Sequence, residues 1–154
     1  MPRSVDVSVV VPVYNDPVGV GTTLRALATQ TYPTDGYEVV VVDNGSEDET
    51  AAVLDRYRDR YAFVRGERET RIQGSYAARN TGIDATTGSM LAFLDADVTV
   101  PSTWLESLVD LLAGGKHDYV GCAVEIRARN PDSAVAKYNR TYEFPVERYL
   151  RNYR

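Results

Sequence analysis

Cysteine is almost missing from this chain, and its scarcity excludes two classes at once. A single thiol, Cys122, permits no internal disulfide and no thiolate metal site. It fits a reducing compartment, and its setting in Tyr119–Val124 reads as a small core residue. Lysine is scarce too: Lys116 and Lys137 stand alone against an arginine-rich remainder of the 17 basic residues. The one histidine, His117, follows the Gly114-Gly115 pair at a helix end, where it caps carbonyls or meets solvent and takes no catalytic assignment. No apolar run reaches the length of a membrane span, and the amino end leads into a strand with no signal-peptide core. Neither valine-rich segment is followed by Gly-x-Gly-x-x-Gly, which argues against a dinucleotide-binding domain. Net charge is -5 with a pI near 4.9, which argues against non-specific nucleic-acid binding, because that depends on many cationic contacts to phosphates. There is no internal repeat and no low-complexity linker.

What remains is an ordinary globular composition, 44% hydrophobic and 25% charged over 154 residues. Val5–Val13 reads as a buried strand, Val18–Gln30 as a helix and Tyr37–Val42 as a second buried strand. Ser46 and Glu49 form a capping box for a helix reaching Asp59. A short strand at Phe63–Val64, a helix over Ser75–Ala85 and a buried strand over Met90–Leu94 follow. Pro101, Ser102 and Thr103 open another helix, with Thr103 and Glu106 as a second capping box, and Tyr119–Ile126 reads as a further strand. The expectation is an α/β fold with a mostly parallel central sheet flanked by helices on both faces. Tyr138 with Tyr142 and Tyr149 with Tyr153 are helically spaced pairs separated by Phe144-Pro145, and they form either a surface-seeking segment or a frayed tail.

Three strand ends carry distinctive polar groups, and in open α/β sheets ligands bind beyond the carboxyl ends of strands. The first is Pro12-Val13-Tyr14-Asn15-Asp16, the second Asp43-Asn44-Gly45-Ser46 and the third Asp95-Ala96-Asp97. Strand alternation would aim Asp95 and Asp97 the same way, and paired carboxylates are relieved by a hard divalent cation whose other positions suit water and phosphate oxygens. Tyr14 could stack on a planar ring while Asp43 accepts a hydrogen bond from a base N–H, and Pro12 stiffens the strand end. Arg79, on the helix that leads to the aspartates, faces either the phosphates or a surface salt-bridge partner.

These residues together resemble the amino-terminal, nucleotide-sugar-binding half of family 2 inverting glycosyltransferases of the GT-A fold. Val9–Asn15 is similar to that family's first strand, Val41–Thr50 to its second strand end, and Ala78–Gly88 with Leu91–Asp97 to the segment ending in its Asp-x-Asp motif. The resemblance implies a nucleotide-diphosphate sugar donor and transfer to an acceptor such as a glycan, a polyprenyl phosphate or a protein. It implies donor contacts from Pro12, Tyr14, Asn15, Asp43, Asn44, Ser46, Arg79 and Asp95, and Mn2+ or Mg2+ held by Asp97 with Asp95 beside it. It implies a donor-binding core over residues 1–130, the start of an acceptor-side segment over 131–154, and a catalytic base past Arg154, with Glu143 and Glu147 outside the family's context. Val98 departs from the pattern, because many relatives carry another acidic residue there. The implied location is cytoplasmic, at the membrane face in a longer parent protein. A non-catalytic nucleotide-binding or regulatory module of the same fold is the rival reading. A phospho-accepting receiver is disfavoured because the first strand ends in Pro12-Val13-Tyr14-Asn15, without an acidic cluster.

Overall fold

The computed structural model describes residues 5–125, 132–134 and 136–138. It divides into two compact units, residues 1–116 and 117–154. The first holds every strand found among the described residues: β1 (Val7–Val13), β2 (Tyr37–Asp43), β3 (Val64–Arg68) and β4 (Met90–Phe93). They form one parallel sheet in the order β3-β2-β1-β4. Helices α1 (Pro17–Leu27), α2 (Thr50–Arg60), α3 (Ser75–Ala85) and α4 (Trp104–Ala113) connect and cover it.

The two valine runs are explained by their place in the middle of the sheet. All seven residues of β1 and all seven of β2 are buried, because helices lie on both faces. Alternation then sorts them. Val9, Val11, Val13, Val39 and Val41 pack with Val20, Leu24 and Leu27 of α1, Val53 and Leu54 of α2 and Leu105 of α4. Val40 and Val42 point the other way, against Ala78 of α3. Helix α3 comes close to the sheet at Gly82, where an added Cβ would collide with Cγ1 of Val10.

β4 departs from the expected buried strand. Among the described residues it lies at an edge, paired to β1 alone, and Leu91 and Phe93 are 41% and 46% exposed on the face they share with Ser8 and Val10. Helix α3 packs over β1, β2 and β3 and leaves that part of β4 open. The expected strand over Tyr119–Ile126 is also absent: residues 119–125 carry no strand, and Ile126 lies outside the described residues. Cys122 is exposed, not a core residue. Tyr142, Glu143, Phe144, Pro145, Glu147, Tyr149 and Tyr153 lie outside the described residues.

Neither expected capping box forms. The cap residue of α2 is Glu49, and Thr50 N–H is satisfied by Asp48 Oδ1 at 2.9 Å, while Ser46 is used elsewhere. Thr103 caps α4 by position but makes no side-chain cap bond, and Glu106 accepts from Thr31 Oγ1 at 3.2 Å. Competition from tertiary partners removes both side chains from the local motif.

Candidate functional site

The ends of β1 and β2 are clasped by side-chain to backbone bonds. Asn15 sits in the left-handed region with φ 48°, which asparagine tolerates better than most residues. Its N–H donates to Ser46 Oγ at 2.9 Å and its Oδ1 accepts from Glu47 N–H at 2.9 Å. Ser46 N–H in turn donates to Asp43 Oδ1 at 2.8 Å. Asp43 is buried, and its second oxygen stands 3.8 Å from Arg68 Nε. Ser46 therefore holds two loops in register, and Asp43 is fixed through one oxygen while the other faces an arginine.

Asn44 fastens the next loop. Its amide donates to the carbonyls of Glu69 at 3.0 Å and Ile72 at 2.9 Å, and its Oδ1 accepts from Gly74 N–H at 2.6 Å. Glu69, buried inside that loop, accepts from Thr81 Oγ1 at 2.8 Å and from the N–H groups of Arg71 and Ile72 at 2.6 and 3.1 Å. The Thr81 hydroxyl foremost, then these two N–H groups, hold the Glu69 carboxyl below the usual range despite burial. The 69–74 loop is thus rigidly tied, and it sets the start of α3, from which Ser75 and Arg79 project. Sequence reasoning missed Glu69, because nothing in the loop's composition separates it from a solvated acid.

The third strand end is not built as alternation suggested. β4 stops at Phe93, and Asp95–Val98 is a turn in which Asp97 N–H and Val98 N–H donate to Asp95 O at 3.0 and 3.2 Å. The two aspartates are set by this turn, which rests on α1. Thr23 Oγ1 donates to Val98 O at 2.9 Å and approaches Asp95 O at 3.4 Å, and a Cβ at Gly19 would stand 2.6 Å from Ala96 O. Asp16, the cap of α1, accepts from Gly19 N–H at 2.8 Å, and its charge acts on Asp97. Burial first, then Asp16, then Asp95, push the Asp97 carboxyl up. Asp16 closes the first strand-end motif but is assigned no role by the sequence, and only the docking of the turn on α1 brings it to Asp97.

Asp95 Oδ1 receives Arg79 Nη2 at 2.6 Å, and Arg79 Nη1 is held by Ser75 Oγ at 3.1 Å. A cleft of about 240 Å³ opens over these groups, lined by Pro12, Val13, Tyr14, Asn44, Ser75, Arg79 and Asp95. It draws residues from all three strand ends, while Asn15, Asp43, Ser46 and Asp97 are not among its lining residues. A larger, open groove of about 630 Å³ between α2 and β3 is lined by Asp55, Arg58, Asp59 and neighbours and contains none of the expected site residues. Among the described residues no three His, Cys, Asp or Glu side chains stand close enough to enclose a metal ion. Asp97, with its charge resisted by two other carboxylates, still fits the all-oxygen, few-ligand manner in which Mg2+ or Mn2+ is held when a phosphate completes the shell.

A parallel sheet with helices on both faces and a cleft at its carboxyl ends is the GT-A architecture, and solved structures match it. The mannosyltransferase PcManGT from Pyrobaculum calidifontis, in complex with GDP-Man and Mn2+, gives a TM-score of 0.67 at 32% identity over 72% of this chain and 33% of that one. S. aureus TarS 1-349 in complex with UDP gives 0.62 at 28% identity over 69% of this chain and 32% of that one. The family model for glycosyl transferase family 2 matches residues 8–154, and the chain belongs to that family. It is 43% identical over 133 residues to glycosyltransferase AglE of Haloferax volcanii, covering 86% of this chain and 44% of AglE. It is 34% identical over 146 residues to the validoxylamine A glucosyltransferase of Streptomyces hygroscopicus subsp. jinggangensis, covering 94% of this chain and 34% of that enzyme. The chain therefore spans less than half the length of these curated relatives. No helix among the described residues is long and apolar enough to cross a membrane.

Proposed function

We propose that this chain is the donor-binding part of an inverting glycosyltransferase, taking a nucleotide-diphosphate sugar together with Mn2+ or Mg2+. The observation that carries the reading is the meeting of Tyr14, Arg79 and Asp95, from three separate elements, around one cleft, with Asp97 close enough to Asp95 to feel its charge. Tyr14, half exposed at the cleft, offers a ring face to the base, and Asp43 is the acceptor for a base N–H through the oxygen not bound to Ser46. Asn15, Asn44 and Ser46 act on the donor by fixing the loops that present these groups. Arg79 faces the diphosphate, Asp95 the ribose and cation, and Asp97 is the direct cation ligand.

When bound, the cation neutralises charge on the departing diphosphate. The acceptor hydroxyl attacks the anomeric carbon from the side opposite the nucleotide, the bond to the diphosphate oxygen breaks, and a carboxylate base takes the hydroxyl proton. Calorimetry with UDP, GDP and dTDP, with and without Mn2+, tests the reading. One diphosphate should bind in a Mn2+-dependent way, and Asp97→Ala should abolish that dependence. Equal affinity in chelator would discard the cation. Binding without sugar transfer in a full-length relative carrying this segment would favour the regulatory module instead.

A further inference from the structure

Arg79 stands in a position that the proposed ligands must contest. Its Nη2 lies 2.6 Å from Asp95 Oδ1, and Asp95 is the carboxylate that ribose and cation would use. Its Nη1 is tethered to Ser75 Oγ at 3.1 Å, one turn earlier on α3, so the guanidinium hangs from the helix over the cleft. The pair is open to solvent, with side-chain exposures of 33% for Arg79 and 63% for Asp95. Such a pair is weak enough to be broken by a better partner.

On the reading that this cleft takes a nucleoside diphosphate and a divalent cation, we propose that Arg79 and Asp95 form an exchange pair. Without ligand, the guanidinium serves as a tethered counter-ion on Asp95. A diphosphate offers it two adjacent anionic oxygens, a closer match to the forked guanidinium than one carboxylate oxygen. Arg79 moves to the phosphates and Asp95 is released to the cation. The same charge arithmetic runs backwards: a cation arriving at Asp95 repels the guanidinium and sends it toward the phosphate position. Each ligand vacates the partner of the other, so their affinities are coupled in both directions. Ser75 keeps the swing short, because the tether lies on the arginine's own helix.

The exchange makes an uncommon demand of one substitution: it must weaken one ligand and tighten the other. In Arg79→Gln the counter-ion is gone, so Mn2+ titrated alone should bind about twofold to fivefold more tightly, the scale of an exposed pair. UDP or GDP in chelator should bind about tenfold more weakly, since a charged hydrogen-bond donor is lost. The enhancement of nucleotide affinity by Mn2+ should shrink. Arg79→Lys, which keeps the charge but loses the fork, should move in the same directions by less, and it carries the test if the glutamine variant does not fold. Mn2+ affinity unchanged or lowered in the variants would overturn the exchange while leaving the donor reading intact. Failure of the unsubstituted chain to bind Mn2+ and every nucleotide would overturn both.

Discussion

Asn44 is the point where the end of β2, the 69–74 loop and the start of α3 meet. Its three bonds are made inside the protein, and it is buried. Asn44→Ala leaves two carbonyls and one N–H without that partner, and a cost of about 2–4 kcal/mol is expected from the unmade bonds. Urea unfolding measures it, and a loss below 0.5 kcal/mol would mean that water replaces the amide. Asp97 is the opposite case. Burial first, then Asp16 and Asp95, resist its charge, so the folded protein carries an unfavourable interaction at that position. Asp97→Asn should stabilise the fold by on the order of 0.5–1 kcal/mol at neutral pH, read as a higher urea midpoint, while removing cation-dependent nucleotide binding. Loss of stability in that variant would show that Asp97 is a structural acid.

Among the elements, two glycines decide how closely helices approach the site. Alanine at Gly82 would gain about 1 kcal/mol of helix propensity. The added methyl, however, would meet Val10 in a fully buried strand, and overpacking of about 1–3 kcal/mol outweighs that gain. At Gly19 an added Cβ would meet the Asp16 carboxylate that caps α1 first, and then, at 2.6 Å, the Ala96 carbonyl of the aspartate turn itself. Gly19→Ala should therefore disturb both the cap of α1 and the seat of the turn, lowering stability and Mn2+-dependent nucleotide affinity together, and equal affinity in calorimetry would show that the turn does not depend on α1. This contrast marks what was legible in the sequence. The valine runs, the helix over Ser75–Ala85 and the three polar strand ends were visible, because burial on both faces, helical spacing and strand-end polarity leave local traces. The seat of the turn on Thr23 and Gly19, the reach of Asp16 and the Glu69 clamp were not, since each depends on residues distant in the chain. Leu91 and Phe93 looked buried for a related reason: an apolar run shows that a strand is hydrophobic, not whether a helix covers both sides. The apolar stretch over 119–125 failed as a strand because a pattern cannot supply the neighbouring backbone that pairs with it.

At the scale of the whole molecule, Glu38 secures the end of the sheet opposite the cleft. Its Oε1 accepts from Ser8 Oγ on β1 at 2.7 Å and from both the N–H and hydroxyl of Thr87, before β4, at 2.6 and 2.9 Å. Its Oε2 accepts from Arg65 Nη1 on β3 at 2.9 Å, so one buried carboxylate on β2 joins every strand of the sheet or the approach to it. Burial alone would push this carboxyl up. The bonds from Ser8, Thr87 and Arg65 outweigh burial and lower it from 4.5 to about 2. A depressed folded value means that the charged form favours the native state. Its contribution, about 3 kcal/mol when fully developed, is present above pH 4.5 and falls away as pH drops toward 2. Glu38→Gln should lose most of it at neutral pH and should show a flatter decline in stability on acidification. The nucleotide site lies at the other end of the same strands, so donor affinity at neutral pH should be unchanged. Urea midpoints for both proteins between pH 7 and 3 check the sign: the gap must narrow as pH falls. Parallel curves would remove Glu38 as the source of acid sensitivity and return the sheet's cohesion to its valines alone.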